Sequence, residues 1–151
     1  MKVYRPTRQL LADVERLLAA KPSTYRSPLE DVIDLLCSGR HYSWVGIFLS
    51  VRENSSQPFL GADSDAPGEV ALPRTRSKIL ISIKLASREL GAISAESDRE
   101  RAFGMEDRVL LERVADALAR FLTTRGKYLV RKARTSGFRM VRARPIASAS
   151  M

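Results

Sequence analysis

Hydrophobic and polar residues alternate along residues 77–85, a period of two that is typical of a β-strand with one buried face. Isoleucine or leucine occupies every second position from 79 to 85. Residues 87–89 are expected to form a turn, and residues 90–96 to return as the partner strand. Gly91 in that strand predicts a bulge or the close approach of another backbone. The segment therefore predicts an antiparallel hairpin.

Apolar residues at helical spacing predict two helices in the N-terminal part of the chain. Residues 10–18 carry one apolar stripe, which Pro22 ends. The second helix begins at Ser27, because Glu30 completes a capping box and a proline occupies the first helical position. Gly39 is expected to end it.

A long amphipathic helix follows the hairpin. Its first turn contains two carboxylates, which complement the helix dipole, and its apolar stripe continues through Leu122. The straight part is expected to end near Arg125, because Gly126 weakens a helix by about 1 kcal/mol relative to alanine. The stripe is wider than one sheet face needs, which predicts packing on a second subunit. The residues assigned to this dimer helix are Leu111, Val114, Leu118, Phe121 and Leu122.

The order of these parts resembles the GAF domain. Residues 41–49, HYSWVGIFL, are similar to its first strand, and the pattern of Trp44, Gly46 and Phe48 is most similar to the free methionine-(R)-sulfoxide reductase branch. The resemblance covers roughly residues 8–124. It implies an α+β fold, GAF-like or profilin-like, with a central antiparallel sheet and with N-terminal and C-terminal helices packed on one face.

The residues that the reductase branch uses for its chemistry are largely missing from this sequence. The resemblance implies cysteines in the pocket loops, but the only cysteine is Cys37, on a helix before the first strand, and one cysteine cannot form an internal disulfide. The acidic residues implied on the late strand are reduced to Glu96, with Ser94 at the other position. The segment that roofs the pocket, residues 62–76, is short. We therefore expect no enzymatic activity and a reduced or absent ligand pocket.

A small ligand that still binds is expected to contact the strands around this pocket. The residues assigned to that site are Trp44, Gly46, Phe48, Ser77, Ile81, Ser94 and Glu96. The alternative for Ser94 and Glu96 is that strand alternation places them on the solvent face of the sheet.

Charge divides the chain into two parts, a domain over residues 1–124 and a basic extension over residues 125–151 that is partly helical or disordered. No acidic residue follows Asp116, so residues 117–151 carry the whole net charge of +9. Such a segment attracts phosphate backbones or acidic surfaces. The residues assigned to that contact are Arg125, Lys127, Arg131, Lys132, Arg134, Arg139, Arg142 and Arg144.

Composition limits the class of protein. With 151 residues, 44% hydrophobic and 28% charged, the chain is expected to form one small globular domain. It contains no apolar run of about 18 residues and begins without a secretory signal, which together with a single cysteine predicts a cytoplasmic protein with no membrane contact. His41 is the only histidine, so neither a metal site nor a cofactor is expected.

These observations predict a non-catalytic GAF-like regulatory or interaction module that forms a homodimer through its terminal helices and passes a signal to a separate output protein. Two alternatives remain open at this point. The chain could bind nucleic acid or an acidic partner through its basic extension, although nucleic acid is not favoured. It could also act as a small-molecule sensor.

Overall fold

The structure, a computed structural model, describes residues 3–20, 27–49, 72–136 and 139–142. In chain order the elements are α1 (Thr7–Ala19), α2 (Pro28–Gly39), β1 (Trp44–Leu49), β2 (Ser77–Leu85), β3 (Arg88–Ser97), α3 (Met105–Leu122), α4 (Lys127–Ser136) and β4 (Arg139–Arg142). The predicted α+β class, with an antiparallel sheet and helices at both ends, is confirmed. Most of the segment predicted to roof a pocket, residues 62–71, lies outside the described residues.

The four strands form one antiparallel sheet in the order β2-β3-β1-β4. Strands β2 and β3 are adjacent in sequence and form a hairpin. Strand β1 comes from the N-terminal half of the chain and pairs with β3, with Gly46 opposite Ser94. Strand β4 pairs with the other edge of β1, Met140 opposite Phe48. The sheet therefore includes residues beyond the predicted domain boundary at residue 124.

The helices lie on one face of the sheet. Isoleucines 79, 81 and 83 of β2 point to this face and are buried in one hydrophobic core with apolar residues of α1, α2 and α3. Helix α3 packs on β2, α2 packs on β1, and α1 packs on both α2 and α3. The alternate residues of the strands point to the opposite face of the sheet.

The hairpin differs from the prediction at its turn. Strand β2 continues to Leu85 and β3 starts at Arg88, so the turn residues are Ala86 and Ser87, with Ala86 at a positive φ of 54°. The prediction for Gly91 is confirmed, because the register shifts between Ile83 and Lys84 and a Cβ on Gly91 would stand 1.9 Å from the Phe48 carbonyl oxygen. The β1 backbone thus runs too close for any side chain at residue 91.

Local signals set the helix ends. The capping box at the start of α2 is confirmed, since Ser27 Oγ accepts from Leu29 N–H and Glu30 accepts from Ser27 N–H. Helix α3 ends at Leu122, three residues before the predicted end at Arg125. The hydroxyl groups of Thr123 and Thr124 donate to carbonyl oxygens of the last turn, at 2.9 Å to Ala119 and 2.7 Å to Arg120, and so terminate the helix early.

The apolar stripe of α3 is covered by the chain itself. The five side chains assigned to a dimer contact are at most 7% exposed. The prediction that they meet a second subunit does not hold in this fold, because α1 covers the part of the stripe that the sheet leaves uncovered. The residues concerned are Leu111, Val114, Leu118, Phe121 and Leu122.

Candidate functional site

The sheet face opposite the helices carries small, aromatic and polar side chains from paired residues of β1 and β3. Trp44 pairs with Glu96, Gly46 with Ser94, and Phe48 with Ala92. Directly opposed residues of antiparallel strands point to the same face, so these six residues lie together. We call this surface the Trp44 face.

Trp44 and Gly46 pack against each other on this face. A Cβ on Gly46 would stand 2.4 Å from Trp44 Cη2 and 2.9 Å from Cζ2, so the indole lies over the glycine. Trp44 is 5% exposed. Gly46 therefore allows the ring to lie close to the strand, where it forms an aromatic wall beside the polar residues of β3.

Glu96 is a buried carboxylate, with 1% of the residue exposed. Its Oε1 accepts a hydrogen bond from the backbone N–H of Leu72 at 3.1 Å and from the hydroxyl of Thr75 at 2.7 Å. These bonds attach the turn before β2 to the Trp44 face. Lys78 of β2 pairs with Glu96 on the other side, so the face also carries a cation that the sequence analysis did not select.

Ser94 stands between Gly46 of β1 and Leu80 of β2, at the centre of the Trp44 face. The residue is 2% exposed. Among the described residues, its hydroxyl oxygen is the only buried side-chain nitrogen or oxygen atom without a hydrogen-bond partner.

Two residues of the predicted ligand site point to the other face of the sheet. Ile81 belongs to the helix-side core, 7% exposed. The hydroxyl of Ser77 donates to the Arg99 carbonyl oxygen at 2.6 Å and accepts from Ala102 N–H at 3.2 Å, so it holds the loop between β3 and α3. The structure therefore brings together five of the seven predicted residues, and that these five bind a ligand stays a prediction.

Cys37 and His41 lie away from the Trp44 face. Cys37 is buried, 2% exposed, in the helix-side core of α2. His41 Nε2 lies 2.7 Å from the Ala102 carbonyl oxygen, which can only accept, so Nε2 carries the proton. The ring also packs against Tyr42 and Phe103. His41 thus joins the start of β1 to the loop before α3.

A buried polar network that the sequence analysis missed supports the start of β1. Arg40 donates to Asp107 Oδ1 at 3.0 Å, and the Tyr42 hydroxyl donates to the same oxygen at 2.6 Å. Gly104 N–H donates to the other oxygen of Asp107 at 3.2 Å. Burial, followed by the hydrogen bond to Asp107 and its negative charge, raises the pKa of Tyr42 well above the ordinary tyrosine value. The partners are 67 and 65 residues apart, so no local pattern could have revealed them.

The basic extension is described only in part. Arg125 donates to the Ala19 carbonyl oxygen at the end of α1, and Lys127 and Arg131 are exposed. The side chains of the remaining members of the predicted basic surface lie outside the described part of the chain. Those members are Lys132, Arg134, Arg139, Arg142 and Arg144.

Within the described ranges, no group of three His, Cys, Asp or Glu side chains is placed to hold a metal ion. In the same part of the chain, no helix is both long and apolar enough to cross a membrane.

The sequence matches no protein-family model and no curated protein. The fold, however, is similar to solved structures of free methionine-R-sulfoxide reductases. The enzyme from Neisseria meningitidis, in complex with its substrate, is 19% identical with a TM-score of 0.61, over 88% of this chain and 99% of that one. The Staphylococcus aureus enzyme, also with substrate, is 14% identical with a TM-score of 0.58, over 81% and 99%. A type II enzyme from Thermoplasma acidophilum is 18% identical with a TM-score of 0.52, over 73% and 95%.

These neighbours are enzymes rather than signalling proteins. The predictions of a non-catalytic regulatory or interaction module, of no enzymatic activity and of a signalling or sensor role are therefore wrong. A homodimer, an output protein and a nucleic-acid contact of the basic extension stay predictions. The chain has a GAF-like fold, which it shares with these reductases.

Proposed function

We propose that this protein is an enzyme that acts on a small free amino acid of the methionine sulfoxide class, bound on the Trp44 face. The observation that carries the proposal is the pairing of a buried carboxylate, Glu96, with an indole, Trp44, on one face of a fold whose solved neighbours reduce free methionine-R-sulfoxide. An anion beside an aromatic wall suits a ligand that has an ammonium group and an apolar side chain.

Glu96 supplies the negative charge for the ligand's ammonium group. A carboxylate offers about four acceptor positions, so it can bind an ammonium while Oε1 still accepts from Leu72 and Thr75. The charge is buried, where a hydrogen bond to an ammonium is stronger than in water. Trp44 supplies the apolar surface against which the methylsulfinyl side chain packs.

The electrons for this reaction come from outside the chain. Reduction of a sulfoxide by two thiols gives one thioether, one disulfide and one water. Cys37 is the only cysteine of the sequence, and it lies in the helix-side core while the ligand is bound on the opposite face. In this proposal an external thiol attacks the sulfur, the oxygen leaves as water, and a second external thiol releases the disulfide. The protein binds the sulfoxide and polarises its S–O bond.

This chain differs from a reductase that carries its own pocket cysteines. The sequence lacks the pocket cysteines that the resemblance implies, which fits a reaction whose thiols come from a second molecule. A chain that uses an external thiol has no need of a resolving cysteine.

The test is turnover of free methionine-(R)-sulfoxide by the full-length protein with dithiothreitol, with methionine measured by chromatography. We expect methionine to form faster than without protein, and E96Q to lower kcat/KM by about tenfold or more, because a charge-assisted hydrogen bond is lost. The matched variant C37A is expected to keep the activity, since its thiol is not in the site. The absence of protein-dependent turnover overturns the proposal, and so does a folded C37A variant that is inactive.

A further inference from the structure

The hydroxyl of Ser94 is the one buried polar side-chain atom, within the ranges that the structure describes, that makes no hydrogen bond. Buried hydroxyl groups in folded proteins are almost always paired, because burial without a partner costs free energy. The residue is 2% exposed, so bulk water does not take the place of that partner. An unpaired buried hydroxyl at the centre of a candidate site is therefore a group that a ligand can satisfy.

The position of Ser94 relates it to both other features of the site. It is two residues from Glu96 on the same strand and the same face, which separates their Cα atoms by about 7 Å. Its cross-strand partner is Gly46, over which the Trp44 indole lies. The face thus presents an anion at one end, a neutral hydroxyl at its centre and an aromatic wall alongside both.

We infer that Ser94 donates a hydrogen bond to the sulfoxide oxygen and is the specificity-determining residue that separates the sulfoxide from the thioether. This inference rests on the proposed function. The assignment follows from charge. The ammonium group requires an acceptor with negative charge, which Glu96 provides, whereas the sulfoxide oxygen is a neutral, strong acceptor that a hydroxyl can satisfy. In free methionine sulfoxide, two methylene groups separate the α-carbon that carries the ammonium group from the sulfur that carries this oxygen.

The consequence is discrimination between substrate and product. A thioether sulfur is only a weak acceptor, so methionine leaves the Ser94 hydroxyl unpaired as it is in the free protein. A site built to hydrogen-bond a ligand group rejects an analogue that lacks it, because the buried partner stays unsatisfied. Ser94 therefore favours binding of the sulfoxide and release of the reduced product.

The experiment is calorimetric titration of the full-length protein with methionine-(R)-sulfoxide and with methionine, in the absence of thiol so that no turnover occurs. We expect the wild type to bind the sulfoxide more tightly than methionine by about tenfold or more. In S94A the affinity for the sulfoxide falls by about tenfold and the affinity for methionine is unchanged, so the preference disappears.

S94A removes no hydrogen bond of the protein, so it is expected to fold and to unfold at the wild-type temperature or above. The matched control is S82A, which removes an exposed hydroxyl of β2 that donates to Glu89, and which is expected to keep the wild-type preference. If both ligands bind S94A as they bind the wild type, the inference is wrong while the proposed function stands. If neither protein binds the sulfoxide, the proposed function and the inference both fail.

Discussion

The indole of Trp44 lies over Gly46, two residues further along β1, and fills the space in which a side chain at residue 46 would stand. The hypothetical Cβ would be 2.4 Å from Trp44 Cη2 and 3.1 Å from Cζ3, and the three atoms nearest to it among the described residues all belong to this ring. The glycine thus sets the position of the aromatic wall, and the wall lies beside the cross-strand partner of that glycine, Ser94.

Replacing Gly46 by alanine is expected to displace the indole. The change forces the ring off the strand and lowers the free energy of unfolding by about 1–3 kcal/mol, the usual cost of adding a methyl group to a packed site. Trp44 is the only tryptophan, so its emission reports the displacement directly. G104A is the control, because nothing lies within 4 Å of a Cβ there. An emission spectrum of G46A identical to that of the wild type would contradict the packing described.

Asp107 is expected to be the most important carboxylate for stability. D107N leaves the guanidinium of Arg40, itself 2% exposed, without its buried counter-charge, and the free energy of unfolding in urea should fall by about 3 kcal/mol. The control on the same helix is E112Q, whose partner Arg108 is 3.9 Å away in an exposed pair, with an expected change of about 0.5 kcal/mol or less. If D107N and E112Q lower the free energy of unfolding by the same amount, the buried Arg40–Asp107 pair stabilises the fold no more than an exposed pair does.

Tyr42 is expected to make the protein less stable at alkaline pH. Burial and Asp107 raise its pKa in the folded state, whereas in the unfolded chain it ionises near the usual value of about 10. Below that pH, Tyr42 holds its proton in both the folded and the unfolded state and adds no pH dependence to the free energy of unfolding. Above it only the unfolded state releases the proton, so stability falls by about 1.4 kcal/mol per pH unit.

The measurement is the free energy of unfolding of wild type and Y42F between pH 8 and about pH 11. Y42F is expected to be less stable at pH 8, because it lacks the hydrogen bond to Asp107, and to lose stability less steeply above pH 10. Tyr128 is 37% exposed, so Y128F is the control. Its free energy of unfolding should change with pH in the same way as that of the wild type. Parallel curves for Y42F and wild type would refute the assignment.

Local patterns predicted the elements, and long-range pairing decided the site. The capping box at Ser27 and the strand alternation follow from neighbours in sequence, and both are present. At residue 91 the glycine itself was the signal for a close backbone approach, although its partner, Phe48, is distant in sequence. The assignment of Ser77 and Ile81 to the ligand site is wrong. Alternation along a strand separates its two faces but does not indicate which face packs against the helices. The Arg40–Asp107 pair and the covering of α3 by α1 depend on contacts between distant parts of the chain, which no single-sequence pattern contains.

Glu96 is expected to have two separable roles, one in the fold and one in ligand binding. In E96Q the amide oxygen can still accept from Leu72 N–H and the Thr75 hydroxyl, so the free energy of unfolding should change by less than about 1 kcal/mol. E96A removes the acceptor of both donors and should cost about 2 kcal/mol. Affinity for methionine-(R)-sulfoxide should fall in both variants alike, because both lack the negative charge that holds the ammonium group. Urea denaturation and calorimetric titration of the same preparations measure the two effects. Affinity that follows the stability of the variants, rather than their charge, would show that Glu96 acts only by holding the turn before β2.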